Sequence, residues 1–303
     1  MPLVLEKSKC KQQEQEIVIL PQPKKENPFK LISCVTYPVV KWAGGKRQLL
    51  LALKENMPTS YNRYFEPFIG GGALFFDQKP KDAYISDINE ELINLYTVIK
   101  NDVGGLIEDL ETHKVNKDYF LDIRAVDREP SYKKWSAVRK ASRFIYLNRT
   151  CFNGLYRVNS QGQFNVPYGD YTNPRLIDEN NLYNCSRLLK NTQIECGSFT
   201  KILSEVQKGD FVYFDPPYAP ISETSSFTSY TKEGFDNKMQ EDLKTVCDEL
   251  NKMGVYFLLS NSDTPYINDL YTGYTINKVF ASRQINANAS GRGKITEVLV
   301  RNY

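Results

Sequence analysis

Residues 64–87 read YFEPFIGGGALFFDQKPKDAYISD, and this stretch decides how the rest of the chain is parsed. Tyr64 to Phe68 reads as a short strand that breaks into three glycines. Ala73 to Asp77 opens a helix, and Ala83 to Ser86 is a second strand ending at Asp87. Strand, glycine turn, helix and strand in succession are the unit of a doubly wound parallel sheet. Working outward, Glu90 to Ile99 carries Leu92, Leu95, Tyr96 and Ile99 at three- and four-residue spacing, which predicts a helix. Phe211 to Phe214 and Val255 to Leu259 are apolar runs, as strands covered on both faces should be. Thr275 to Phe280 and Ile295 to Arg301 predict a terminal β-hairpin, with a Gly/Asn/Ser-rich loop containing Arg283 and Arg292 between them.

The region from about 105 to 185 is too long for a crossover helix and predicts an inserted, mainly helical segment. The expected architecture is therefore an α/β, Rossmann-like sheet over 37–104 and 190–303, with the insertion at 105–189. Residues 1–36 alternate Lys, Gln and Glu before Pro21, Pro23 and Pro28, and are expected to form a flexible extension.

Net charge is only +3, but its distribution is uneven. No Asp or Glu occurs from Pro130 to Gly169, where Lys133, Lys134, Arg139, Lys140, Arg143, Arg149 and Arg157 all fall. Such a stretch is an electrostatic footprint for nucleic acid. A solvated helix face explains Lys133 to Arg143 equally well. The six cysteines form no C-x-x-C pair and His113 is the only histidine, which argues against a zinc deaminase site or any other metal centre. Scattered cysteines fit free thiols in a reducing compartment, so the expected location is the cytoplasm of a bacterial or virus-infected cell. The apolar run Ile17 to Leu20 is too short for a membrane span.

Three motifs carry the chemistry. In Phe68-Ile69-Gly70-Gly71-Gly72 the glycines let the backbone approach a ligand at a helix N-terminus. The dinucleotide fingerprint G-x-G-x-x-G fails there, because the sixth position is Phe75. Asp87, at the end of the next strand, either accepts hydrogen bonds from ribose hydroxyls or caps the following helix; local sequence does not separate the two. Lys41-Trp42-Ala43-Gly44-Gly45-Lys46 is not a P-loop, since Arg47 follows Lys46. An exposed Trp42 there suggests an aromatic wall over a flat ligand, against the alternative of a core tryptophan.

Asp215-Pro216-Pro217-Tyr218 directly follows the Phe211 strand, at the carboxyl end of the sheet. Two prolines fix the backbone and remove N–H donors, leaving carbonyls and one carboxylate on display. Such a surface accepts hydrogen bonds from an exocyclic amine such as adenine N6, and makes its planar nitrogen more tetrahedral and nucleophilic. Tyr218 would stack on the base, worth roughly 1–3 kcal/mol. Cytosine-C5 chemistry needs a thiolate nucleophile, and no cysteine follows a proline as it would require.

In order and content these motifs resemble the Dam-type, GATC-specific DNA adenine-N6 methyltransferases of the D12 class. Ser86-Asp87-Ile88-Asn89, Tyr146-Leu147-Asn148-Arg149, Phe164-Asn165-Val166-Pro167 and Ser260-Asn261-Ser262 extend the resemblance from about Val40 to Tyr303. The resemblance implies S-adenosylmethionine as cofactor, contacted by Trp42, Lys46, Asp87 and Asp215. Ala43, Gly44, Phe68, Gly70, Gly72 and Ile88 complete the expected pocket. Phe152 to Arg157 looks like the family's reading hairpin, within about 150–170, acting on double-stranded DNA that contains GATC. In that picture Arg157 donates to a guanine edge. Leu155 and Pro167 touch bases, Phe152 wedges into the stack, and Asn153 and Lys41 join the interface. Asp170 departs from a position where many relatives are basic. The resemblance further implies a monomer, either solitary or paired with a restriction endonuclease. Two other readings stand beside it, a methyltransferase of RNA or protein amides and a DNA-binding module without catalysis. The hairpin opposes the first, and the intact Asp215 turn opposes the second.

Overall fold

The computed structural model describes residues 35–220, 235–282 and 294–303. The expected N-terminal extension up to residue 34, and the loop with Arg283 and Arg292, lie outside the described residues. Seven strands form one sheet: β1 (Tyr64–Glu66), β2 (Ala83–Asp87), β3 (Thr192–Cys196), β4 (Phe211–Phe214), β5 (Tyr256–Ser262), β6 (Thr275–Ser282) and β7 (Lys294–Arg301). Their order is β3-β2-β1-β4-β5-β7-β6. The first five are parallel, and β7 runs antiparallel to both β5 and β6. The doubly wound sheet and the terminal hairpin are thus as the sequence predicts. Because β1 and β4 are neighbours whose chains continue in opposite directions across the sheet, a crevice opens at their carboxyl ends.

Side-chain alternation divides the core in two. Tyr64, Ile85, Phe211, Tyr213 and Leu258 face one apolar cluster. Phe65, Tyr84, Val212, Phe214, Phe257 and Leu259 face the other. The first cluster is covered by α1 (Leu50–Glu55), α2 (Ala73–Gln78), α3 (Glu90–Asn101), α4 (Val103–Glu111), α6 (Ala137–Thr150) and α7 (Glu179–Leu189). The second is covered by α8 (Asn237–Met253) and α9 (Pro265–Leu270). Between α4 and α6 lies α5 (Lys117–Ala125). From α3 to α9 every helix begins at a side chain that accepts a backbone N–H: Asn89, Asp102, Asn116, Ser136, Asp178, Asp236 and Thr264.

Two elements differ from the sequence-based expectation. β1 ends at Glu66 because Pro67 has no N–H to give the ladder. β3, with no apolar run to mark it, occupies the sheet edge and is half-exposed over most of its length. Within the segment expected as an insertion, α4, α6 and α7 pack into the same core as the sheet. A small core of its own forms from Phe120, Ile123, Tyr146, Leu147, Cys151, Phe164 and Val166. That core supports a loop, residues 151–168, at the carboxyl side of α6. Among the described residues no helix is long and apolar enough to cross a membrane.

Candidate functional site

The chain leaves β4 at Phe214, and Asp215 is the first residue beyond it. Its Oδ1 receives the Lys46 ammonium at 2.6 Å and the Ser260 hydroxyl at 2.9 Å. Ser260 is available because β5 runs parallel to β4 with Leu259 opposite Phe214. Tyr213 in turn donates to Ser260, at 3.1 Å. Lys46, 7% exposed in its side chain, also donates to the Gly44 carbonyl at 2.6 Å. Its ammonium lies 4.6 Å from the centre of the Tyr218 ring. The Oδ2 of Asp215 and the carbonyl of Pro216 accept no hydrogen bond among the described residues.

The rest of the turn is tied down. The Pro217 carbonyl accepts from Gln240 of α8 at 3.0 Å, and the Ala219 N–H donates to Asn261 at 3.1 Å. Ser262 closes the set by donating to the Ala219 carbonyl at 2.8 Å. The Tyr218 hydroxyl donates to Glu297 of β7 at 2.6 Å. Burial, with the Asp215 and Glu297 carboxylates nearby, holds that phenol well above its ordinary range, so it remains a donor.

The glycine turn sits one strand away. Gly70 adopts φ +45°, and a Cβ there would stand 2.7 Å from the Trp42 ring, so only glycine fits. The Gly70 N–H donates to Asp87 Oδ2 at 3.1 Å, and the Asn89 N–H to Asp87 Oδ1 at 3.0 Å. Tyr96 donates to the Gly70 carbonyl at 2.7 Å. The side chain that caps α3 is Asn89, not Asp87. Burial raises the Asp87 carboxyl, against backbone N–H bonds from Asn89, Gly70 and Ile88. Ile88 is 56% exposed, which is unusual for a large apolar side chain beside such a polar turn. Phe68 stacks on Phe199 with ring centres 5.3 Å apart, and Gly72, at φ +69°, starts α2.

Trp42 is half-buried, not exposed as expected. It lies against Gly70 and Gly71 and stacks on Tyr156, centres 5.4 Å apart and planes 20° off parallel. Ala43 is half-buried beside it and Gly44 is exposed. Asn148 of α6 accepts the Lys41 N–H at 2.8 Å and donates to the carbonyls of Lys41 and Gly154. The Lys41–Lys46 segment is therefore bound both to the glycine turn and to the 151–168 loop.

On that loop Phe152, Asn153, Arg157 and Pro167 are exposed, while Leu155 is half-buried on the small core. Lys41 is exposed and flanks Gly154. Arg157 donates through Nε to Asn165 at 2.8 Å, which orients the guanidinium. The acid-free run divides physically. Lys133, Lys134 and Arg139 are exposed. Arg143 is buried in an ion pair with Asp127 at 2.8 Å, and Arg149 donates inward to the Val39 carbonyl at 2.6 Å. Only part of that charge is available to a polyanion. His113 hydrogen-bonds Tyr119 and Ser142, and burial lowers it to about 4, so it is a neutral packing residue.

Residues 42–285 match the family described as D12 class N6 adenine-specific DNA methyltransferase. The chain belongs to that family. This D12-class methyltransferase is 50% identical over 270 residues to "Type II methyltransferase M1.LlaDCHI" of Lactococcus lactis subsp. cremoris, which covers 88% of this chain and 95% of that protein. It is 44% identical to "Type II methyltransferase M.MjaIII" of Methanocaldococcus jannaschii, with 88% and 99% covered. The "DNA adenine methylase" of Escherichia coli (strain K12) is 33% identical over 260 residues, covering 86% of this chain and 93% of that one.

In this D12-class enzyme the sequence motifs leave several neighbours of the site unmarked. Ser260 stands in a quoted motif, yet nothing local marks it as the partner of Asp215. Asn148 and Tyr156 also fall within matching stretches without any local sign of their partners, and Glu297 carries no local signal at all. Neither does Glu66, fully buried at the end of β1 and hydrogen-bonded by Tyr64 at 2.6 Å. Burial raises the Glu66 carboxyl from the ordinary 4.5 to about 8, with Asp215 adding to the rise and the Tyr64 bond and Lys46 opposing it.

A raised carboxyl means that the folded protein holds a proton the unfolded chain has lost. The stability it contributes is complete below about pH 4.5 and is lost as pH rises through about 8. The slope in between is about 1.4 kcal/mol per pH unit. Glu66→Gln should remove that slope, so its melting temperature should gain on the wild type from pH 5 to pH 8. Parallel melting curves across that range would show that Glu66 is ionised in the fold.

Proposed function

We propose that this DNA adenine-N6 methyltransferase transfers the methyl group of S-adenosylmethionine to an adenine taken out of duplex DNA, within the sequence GATC. One observation carries the catalytic part. Lys46 and Ser260 both bind Oδ1 of Asp215, so Oδ2 and the adjoining Pro216 carbonyl remain as acceptors for the two N6 hydrogens. Acceptors fixed before the substrate arrives need no reorganisation when the lone pair develops. Asp215 is also placed to take the proton the nitrogen sheds. The Tyr218 ring offers a stacking surface for the extruded base, and its bond to Glu297 fixes its tilt.

The chemistry of the neighbouring residues supports the cofactor. Asp87 uses one lone pair on each oxygen for Gly70 and Asn89, leaving others for ribose hydroxyls. Exposed Ile88, with Phe68 nearby, suits a flat adenine ring. Lys46 has a third N–H for the carboxylate of the methionine portion. Trp42, Ala43, Gly44, Gly70 and Gly72 complete this pocket. When bound, S-adenosylmethionine supplies a methyl group on a sulfonium whose departure leaves a neutral thioether. No protein nucleophile is then required.

For recognition, we assign Arg157 to a guanine edge, Leu155 and Pro167 to base contacts, Phe152 to the gap left by the adenine, and Asn153 and Lys41 to the flanks. The exposure of Arg157, Phe152 and Pro167 on one loop supports this reading. The relatives bearing Type II methyltransferase names support a role as the modifying half of a restriction pair, with the endonuclease as a functional counterpart and not a stable subunit. A monomer inside the cell suffices for that role.

Expression in cells that lack adenine methylation tests the site. Their DNA should become sensitive to an endonuclease that cuts only methylated GATC and resistant to one that cuts only the unmethylated form. Methylated adenine outside GATC would refute the assignment. Arg157→Ala should lose roughly 1–3 kcal/mol of discrimination at one base pair. An unchanged methylation pattern would remove Arg157 from the reading set.

A further inference from the structure

Among the described residues, no strand pairs with the outer side of the loop arm that carries Phe164 to Pro167. Among the described residues only two isolated bridges, Cys151 with Tyr168 and Val158 with Phe164, join the two arms of the loop. Around Phe164, backbone bonds between the arms run from Asn159 to Gln163 and from Asn165 to Arg157, and at the foot of the loop another runs from Phe152 to Pro167. That alternation turns the N–H and C=O of Phe164 outward, where a third strand would receive them. Side chains receive them instead. The Phe164 N–H donates to Asp127 Oδ2 at 2.8 Å, and its carbonyl accepts from Arg128 Nη2 at 3.0 Å. Two residues on, the Val166 carbonyl accepts from Arg124 Nη1 at 3.3 Å.

The Asp127 and Arg128 side chains and the backbone of Arg124 are themselves held. Arg143, on the core-packed helix α6, binds Asp127 at 2.8 Å and donates to the carbonyls of Ile123 and Arg124. Both charges of that pair are under a tenth exposed. Arg128 binds the other oxygen of Asp127 at 2.6 Å. Charge-assisted bonds of this kind are short and directional. The next residue along the arm, Asn165, accepts from Arg157 Nε, while Phe164 and Val166 on either side are buried. A continuous chain of contacts thus runs from α6 through Arg143, Asp127, Phe164 and Asn165 to the guanidinium assigned to a guanine edge.

We infer that Arg124, Asp127 and Arg128 are positioning residues for sequence reading: they replace a missing strand, fix the register of the reading arm, and so set how well the enzyme distinguishes its site from near matches. The inference rests on the proposed reading of the 151–168 loop as the DNA-reading element. A base contact placed by geometry loses selectivity when its support slackens, while an enzyme with an intact pocket still turns over.

The test measures kcat/KM on duplexes carrying GATC and on duplexes changed at one base pair, for wild type, Arg157→Ala, and the double variant Arg124→Met with Arg128→Met. The double variant should lower the ratio of the two values by tenfold or more, mostly by gaining on the near-match sites, with cofactor affinity unchanged. Arg128→Lys with Arg124→Lys, which can still donate to the two carbonyls, should recover most of the ratio. Asp127→Asn keeps the shape but loses the charge, and should move the ratio the same way if the double variant melts below the assay temperature. A merely structural role would lower both rates together and leave the ratio alone; that result overturns the inference. If Arg157→Ala relaxes the ratio while all three supporting variants leave it intact, the loop reads DNA and the bracing idea alone fails. If the wild type shows no preference for GATC, the reading and the inference fall together.

Discussion

The contact between Lys46 and Asp215, 2.6 Å long and largely shielded from water, organises the site. It joins the Lys41–Lys46 segment, which comes before the first strand, to the carboxyl end of β4 at the centre of the sheet. Removing one partner would leave a buried charge uncompensated, at a cost of about 3–5 kcal/mol. The pair has a chemical consequence as well. By taking Oδ1 together with Ser260, Lys46 decides which oxygen of Asp215 is left to accept a further hydrogen bond. Pro216 and Pro217 carry no N–H, so at these two positions the backbone of the turn displays acceptors alone.

From that pair the remaining geometry follows outward. Lys46 follows Trp42 by four residues, and Trp42 lies over Gly70 and stacks on Tyr156. The glycine turn is held from beneath by Asp87 and Tyr96, so the Trp42 ring rests on a fixed floor. On the far side Asn148 ties the backbone of Lys41 to Gly154 at the foot of the exposed loop. The elements we assign to the methyl donor, the acceptor base and the DNA sequence therefore share one wall. The half-buried Trp42 in that wall is a packing residue, and under the proposed function the same ring also lines the cofactor pocket.

What the sequence reveals follows from how locally each feature is determined. β4 and β5 were legible because strands covered on both faces are largely apolar, and β1 and β2 because a glycine turn and a short helix lie between them. β3 was not, since at the sheet edge Thr192, Gln193 and Glu195 cost little. The Asp215 turn was legible because an acid and two prolines directly after an apolar strand suit few other purposes. The partners of a site are determined by folding, and single residues do not announce them. Ser260 and Glu297 are polar groups within strands whose partners lie on other parts of the chain, and Asp87 and Asn89 are equally good capping types until the structure assigns the cap to Asn89. Charge misleads for the same reason. Arg143 belongs to a basic run that reads as a solvent or DNA face, but its partner Asp127 lies upstream of the run and draws it inside.

The most direct test of this account is the single-turnover rate of methyl transfer by Asp215→Asn, at saturating cofactor and DNA, with the fold checked by circular dichroism. An amide keeps the shape and the bond to Ser260 but places a donor or a neutral acceptor where a carboxylate should receive the N6 hydrogens. The account predicts a fall of about 10²–10³-fold with DNA affinity retained. A rate close to that of the wild type would mean that the carboxylate does not activate the amine, and would contradict it.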